Sequence, residues 1–414
     1  MEQERWSDEI LDAMRTKGDP IADDTVATIL ESDGLEGLRE LLGQLQRNDV
    51  PEPDALPDGV KAYFDRTEIL PAWADPELME RGARVFRTNG LLATMVLFAG
   101  SLPAAYAAKR SVQVLALSRR LQSDVKRRIV EMAQLVLDVV AEGGMGKGGY
   151  AIRTIQKVRL IHGAIRHYIQ YPTSPLAFEW DRQWGTPINQ EDLAGTLMTF
   201  CAAVLQGLAK YDVHIEPDNA EAYVHLWNVV GYVLGVSEQL LPRDVADAYR
   251  LHDRVMVRNH APSEAGRLLT AALVEFLEQE IPGKALDGLA ASNIRYLVGD
   301  RVADMLGVEP RHFTDRLISL ERTIWGWTHD VQELSPRIRQ LMGKMTYELL
   351  CSIERHEIGG ERTKLRIPAG MMDHPPAGPG KPHWIWQLWP FRLFRDWWVA
   401  RLLRAVAALP DSSS

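Results

Sequence analysis

The chain has 414 residues, 46% of them hydrophobic and 25% charged, with a formal net charge of −9. These proportions describe a globular chain with ample core and exclude a disordered or fibrous one. The acidic balance argues against nucleic acid as the main partner, because phosphate binding needs a concentrated cationic surface. Cys201 and Cys351 are the only cysteines, each in an apolar run without CxxC or Cys/His spacing. That pattern excludes structural zinc and iron–sulfur sites on ligand count and fits a reducing compartment. The N-terminus, Met1 to Trp6, is acidic and mixed, without the basic and apolar regions of a secretory signal. No run is expected to reach the roughly 18 consecutive uncharged apolar residues of a membrane span. The expected location is cytoplasmic.

Strand signals are nearly absent, while apolar spacings of three and four recur through most of the sequence. The fold class is therefore all-α. It is expected as a single large helical domain with a short N-terminal helical cap, and a C-terminal linker plus amphipathic helix. Residues 8–16 and 23–48 are the helices of the cap, which occupies residues 1–55 and ends in a proline-rich break from Pro51 to Pro57. The main domain covers residues 56–362. It opens with a helix from Trp73 to Arg87, followed by Gly90–Ala108, a buried helix pair or a bent helix around Gly100 and Pro103. Residues 112–141 form one long helix or two abutting ones.

Next comes a glycine-rich loop, Gly143 to Gly149. It comes after a helix and lacks the GxxxxGK[ST] order, so it reads as a helix breaker rather than a phosphate cradle. Further helices are expected at 151–171, 190–211, 218–236, 242–257, 263–280, 286–306, 309–323 and 335–356. Asn189 caps one of them, with Glu191 and Asp192 in the first turn, where the helix dipole favours acids. Residues 363–382 are a Pro/Gly-rich linker, and residues 383–409 are a Trp/Arg-rich tail.

The stretch from Ile152 to Ile169 carries the strongest chemical signal. Ile155, Val158, Ile161, Ile165 and Ile169 are spaced as the core stripe of a helix, and His162 lies beside that stripe. Arg159 precedes His162 by three residues and Arg166 comes four after it, so all three share a face, with His167 adjacent. Stacked cationic groups beside an apolar stripe must be matched by anions. Carboxylates from other helices can do this, or the anion can belong to a ligand. Haem suits the second solution, since its iron takes a neutral imidazole and its propionates seek arginine. Spacing alone favours the first.

The segment Arg153-Thr-Ile-Gln-Lys157-Val-Arg159-Leu-Ile-His162-Gly-Ala-Ile-Arg166-His167 resembles the signature of the rubber-oxygenase catalytic domain family, which includes latex clearing protein and the MpaB-type oxygenases. Further similar segments are Pro71-Ala-Trp73-Ala-Asp75, Ser101-Leu-Pro-Ala-Ala-Tyr106, Asn189-Gln-Glu-Asp-Leu193, Trp227 to Val236 and Arg295 to Asp300. The resemblance implies a b-type haem whose iron is bound by His162, within an RxxHxxxRH pattern completed by Arg159, Arg166 and His167. It also implies distal residues on the long helix before the glycine loop. By spacing these are Arg128, Glu131 and Met132, with Glu131 as a base, Arg128 facing developing negative charge, and dioxygen opposite the proximal histidine. Glu131 and Met132 depart from the lysine and threonine of latex clearing protein, and no export signal is seen. The first departure argues against an iron-capping lysine and an identical distal mechanism. The second argues against rubber as the substrate, and a smaller apolar molecule suits an apolar helical pocket better.

The expected function is thus a haem b-dependent oxygenase acting on an apolar small molecule with dioxygen. Two alternatives stay open: a haem-binding sensor or carrier without turnover, and a haem-free helical interaction protein at a membrane. The tail bears on the last. It holds five of the twelve tryptophans, with Phe391, Phe394, Trp398 and Leu402 at helical spacing among Arg392, Arg395 and Arg401. That composition suits a peripheral contact at a membrane interface, or equally a helix folded back on the body or a dimer contact.

Overall fold

In the computed structural model, the described residues are 5–45, 57–117, 125–146, 149–170, 180–280 and 288–310. They are all-α, as expected, and contain no strand apart from an isolated bridge between Ala108 and His260. The helices in order are α1 (Asp8–Arg15), α2 (Pro20–Leu45, broken at Gly34), α3 (Asp58–Thr67), α4 (Pro76–Thr88) and α5 (Gly90–Val96). They continue with α6 (Leu102–Ala107), α7 (Val112–Ala116), α8 (Val125–Val140), α9 (Tyr150–Gln170), α10 (Gln190–Phe200) and α11 (Ala202–Lys210). The last are α12 (Pro217–Leu234), α13 (Val245–Asn259), α14 (Glu264–Glu280), α15 (Leu289–Val298) and α16 (Asp300–Met305). The helices expected at 309–323 and 335–356, the linker at 363–382 and the tail at 383–409 lie outside the described residues, apart from the first two positions of 309–323.

Local sequence chemistry sets several boundaries. Asp75, Asn189 and Asp244 cap α4, α10 and α13 by accepting backbone amides with their side chains. Helix α3 was not anticipated from the sequence, where Pro57 marked only a break. That proline stands at the N-cap of α3, and Val60, Tyr63 and Phe64 form its buried face. The bend expected near Gly100 and Pro103 is present as one wide π-type turn, Leu97–Ser101, in which the Leu102 amide donates back to the Leu97 carbonyl. Pro103 brings no amide of its own to the next helix.

Two expected helices are each divided. The segment 190–211 breaks at Cys201 (φ −94°, ψ −81°). Carbonyls at the break are taken by other elements: Tyr223 Oη donates to Phe200 O (3.0 Å) and Ser101 Oγ to Thr199 O (2.5 Å). The segment 286–306 breaks at Gly299, whose φ of +81° is open to glycine and strained for other residues.

The sequence expectation about apolar runs needs correction. Gly90–Ala107 and Gln190–Lys210 are long and apolar enough to cross a membrane by length and composition. Two-thirds of each is buried inside the fold, where they serve as core segments.

Among the described residues, three apolar clusters hold the helices together. The largest joins α4, α5 and α10–α13, and it includes Trp6, Leu11 and Met14 from the N-terminal segment. The second joins α2, α3 and the C-terminal half of α9, and the third joins α6 and α14–α16 with Ile129 of α8. Close packing relies on small residues: a Cβ on Gly82 of α4 would strike the Ala222 carbonyl of α12. Helix α9 spans two clusters. Ile152 and Ile155 belong to the first, and Leu160, Ile161, Ala164, Tyr168 and Ile169 to the second.

Candidate functional site

Helix α9 is buried around most of its circumference, including the polar side chains Gln156, Lys157, Arg159 and Arg166. Burial of so much polarity requires bonded partners, and α3, α8 and α2 supply several of them, with backbone carbonyls of Val233 and Ile188 supplying others. From α3, Tyr63 Oη donates to the Gln156 carbonyl (2.8 Å), and Gln156 Nε2 donates to Phe64 O (2.7 Å) and Thr67 Oγ1 (2.7 Å). From α8, Asp138 accepts from Thr154 Oγ1 (2.8 Å) and from Gln134 Nε2 of its own helix (2.9 Å), which sets the register of α8 against α9. The third helix, α2, meets the two arginines.

Arg159 donates to both carboxylate oxygens of Asp19, from Nε (2.5 Å) and Nη2 (2.7 Å), and from Nη1 to the Val233 carbonyl (3.0 Å). Both side chains of this pair are less than a tenth exposed. Arg166 Nε donates to Asp23 (3.1 and 3.2 Å), and its Nη1 donates to the Ile188 carbonyl (3.2 Å). Burial raises the pKa of Asp23, and Arg166 and His167 counter that shift. Of the two ways to neutralise the arginines, protein carboxylates are therefore the one that the structure contains. Within these two guanidinium groups, Arg166 Nη2 alone is buried without a partner.

His162 sits between these pairs. With Val158 and Ile165 it forms a half-buried line along α9, its members one turn apart; Arg153 and His167 are half-buried too, and most other positions between the helix ends are buried. Its Nδ1 is buried and has no hydrogen-bond partner. Burial first, then the charge of Arg166, pushes its pKa down to about 4. The imidazole is therefore neutral near pH 7 and keeps a lone pair for a metal. Gly163, beside it, packs on Ala22: a Cβ there would lie 3.1 Å from the Ala22 Cβ and 3.2 Å from its backbone.

Among the sequence-derived candidates, Arg159, His162, Arg166 and His167 thus share α9, and His167 is half-buried next to the Arg166–Asp23 pair. Arg128, Glu131 and Met132 lie on α8, the helix that packs along α9, and Met132 is half-buried. The side chains of Arg128 and Glu131 lie outside the described residues.

The residues that sequence reasoning missed are the acids Asp19, Asp23 and Glu191. Glu191 is fully buried and accepts from Arg15 Nε (2.9 Å), Arg258 Nε (3.0 Å) and Asn259 Nδ2 (2.9 Å). Arg15 Nη2 also donates to Asn259 Oδ1 (2.5 Å). Gln190 adds bonds to the Gly18 and Gly235 carbonyls (2.8 and 2.9 Å). These contacts fasten the N-terminal segment to α10 and α13. The arginines signalled that such acids were needed, but the partners stand 140 or more positions away in sequence.

Residues 83–328 match the family model described as ER-bound oxygenase mpaB/B'/rubber oxygenase, catalytic domain. The chain belongs to this family. It is similar to a rubber oxygenase from Streptomyces sp. (strain K30), at 28% identity over 309 residues that cover 74% of this chain and 74% of that protein. Among solved structures, latex clearing protein LCP in the closed state superposes with a TM-score of 0.63 at 24% identity, covering 81% of this chain and 91% of that one. That likeness establishes the shared helical fold. Membership of the rubber-oxygenase family supports an oxygenase, hence an oxidoreductase, as the class of this protein.

The site fits a haem on its iron-binding side. A neutral imidazole with a buried, unpartnered nitrogen stands on a line with Val158 and Ile165, whose apolar side chains suit a macrocycle. Among the described residues no group of three or more His, Cys, Asp or Glu side chains converges as a bare-metal site. A single imidazole is what an iron already carrying its own nitrogen ligands requires.

Proposed function

We propose that this protein is a haem b-dependent oxygenase that acts on an apolar small molecule, with His162 as the proximal ligand. The observation that carries the reading is the His162 imidazole, held neutral by burial, with a buried nitrogen unpartnered, on a helix within the residues that match the family model. Bound haem would supply iron for the activation of dioxygen. The chain's own part is to present a deprotonated nitrogen and to keep charged groups off the line of Val158, His162 and Ile165. Asp19 and Asp23 contribute by taking up Arg159 and Arg166.

On the neighbouring helix, Glu131 is proposed as a base and Arg128 as the cation that offsets developing negative charge. Met132 in place of a polar residue favours an apolar substrate, such as an alkene of terpenoid or lipid type. The N-terminal cap, residues 1–55, is proposed to act as one unit with the main domain rather than as a separate module. Its Trp6, Leu11 and Met14 share the main core.

The test is oxygen uptake by haem-loaded protein given a series of apolar alkenes, with product analysis by mass spectrometry. Uptake coupled to oxygenated product, lost in Glu131→Gln and Arg128→Met, supports the reading. Stable haem binding with no uptake on any alkene would instead favour a sensor or carrier.

A further inference from the structure

We infer that the start of the chain is the positioning element of the His162 helix: Asp19 and Asp23, acting through Arg159 and Arg166, fix the roll and height of the turn that carries His162. The consequence for iron binding rests on the proposed role of His162, whereas the clamp itself rests on geometry.

The clamp grips at two points. Arg159 and Arg166 are seven residues apart, which is two turns or roughly 10 Å along α9, and both lie on the face of His162. Their acidic partners are four residues apart at the entry to α2, where the Asp19 and Asp23 amides and oxygens also bond each other (Asp23 N to Asp19 O 2.8 Å, Asp19 N to Asp23 Oδ2 3.0 Å). The bonds of Thr154 and Gln156 to α8 and α3 hold the N-terminal half of α9, and the two ion pairs on either side of His162 hold the turn that carries it. The Asp19 contact is bidentate, the geometry in which guanidinium–carboxylate pairing is most directional. Each arginine also reaches a backbone carbonyl of a third element, Val233 at the end of α12 or Ile188 before α10. The clamp therefore references His162 to α2, α12 and α10 together.

The surroundings are shaped for these pairs. Gly18 leaves no Cβ beside Asp23 and Arg166, and Gly235 leaves none beside Asp19 and Arg159; a Cβ at either would fall on the paired groups. The aspartates are in turn anchored from behind, because Gln190 bonds the Gly18 carbonyl and Arg15 is sunk against Glu191. Asp19 and Asp23 touch no reacting group, so they are positioning residues rather than catalytic ones.

The test uses the full chain with both partners of a pair replaced, which avoids stranding a buried charge: Asp19→Asn with Arg159→Met, and Asp23→Asn with Arg166→Met. Two readouts are taken. One is the ring chemical shift of His162 in haem-free protein by NMR. The other is haem release to a scavenging globin, together with the electron paramagnetic resonance signature of the ferric protein. The clamp predicts displaced His162 ring resonances, an altered ferric signature and release faster by about tenfold or more, as for groups that orient a metal ligand. Asp23→Glu keeps the charge and lengthens the arm. It should shift the ring resonances while restoring most of the haem retention.

Folded paired variants with wild-type ring shifts, and haem release within twofold of wild type, would overturn the clamp. If the wild-type chain takes up no haem, the iron reading fails, and the ring shifts alone decide the clamp. If both paired variants fail to fold, the ring shift of Asp23→Glu decides it, and an unchanged shift counts against the clamp.

Discussion

Glu191→Gln tests the fastening of the N-terminal segment with little change of shape. The wild-type carboxylate is completely buried and serves Arg15, Arg258 and Asn259 at 2.9–3.0 Å. Glutamine keeps the volume but withdraws the charge and turns an amide nitrogen toward at least one donor. Arg15, with a side chain only 6% exposed, is then left with Asp192 at 3.4 Å as its remaining acid. Breaking a buried pair typically costs about 3–5 kcal/mol. Asp192 next to Arg15, and Asp8 and Asp12 at the surface next to Arg258, offset part of that loss. The expected destabilisation is about 2–4 kcal/mol.

In urea unfolding, a slope of about 3 kcal/mol per M turns this loss into a midpoint lower by about 1 M, with the slope unchanged. Adding Arg15→Met removes the stranded charge. The double variant should therefore be more stable than the sum of the single changes, by about 1 kcal/mol or more. A Glu191→Gln midpoint within about 0.2 M of wild type, or strict additivity in the cycle, would refute the reasoning.

Two other residues carry expected outcomes of their own. Gly235→Ala imposes strain at φ +88° and drives a Cβ into the Asp19–Arg159 pair, so thermal unfolding should report a loss of about 2–4 kcal/mol; a loss below about 0.5 kcal/mol would contradict the packing described. Burial also pushes the His260 pKa down to about 4, well below the usual histidine value, and an Ala104 hydrogen bond only partly counters it. A lowered folded pKa means that the unfolded chain binds the proton first. The stability is complete above about pH 6.5 and is lost as pH falls toward 4. His260→Asn should flatten the wild-type decline over that window, as read by unfolding midpoints at pH 7, 6, 5 and 4.5.

Helix content was legible because periodic apolar spacing is a local property, and most expected helices appear within a few residues of their place. The breaks at Cys201 and Gly299 were not legible. The break at Cys201 depends on Tyr223 and Ser101 taking carbonyls across the fold, and Gly299, between Val298 and Asp300, reads in sequence as one glycine within a continuing helical pattern. Helix α3 was missed for a related reason: ten residues beside a proline-rich stretch form a helix once Tyr63 and Phe64 can pack under α9.

At the site, the sequence marked His162, Arg159 and Arg166 and showed that the arginines needed anions. It did not identify those anions, since Asp19 and Asp23 lie in a segment with the pattern of a separate cap. The buried role of Glu191 was hidden behind its position in the first turn of α10, where an acid is favoured by the dipole in any case.

The most direct test of the account is the absorption spectrum of the full chain after haem is supplied, compared with His162→Ala and Arg128→Met prepared alike. The account predicts a Soret band in the wild type and in Arg128→Met, and its loss or a marked shift in His162→Ala, with all three proteins equally helical by circular dichroism. A wild-type chain without a Soret band, or a folded His162→Ala variant with an unchanged one, would contradict it.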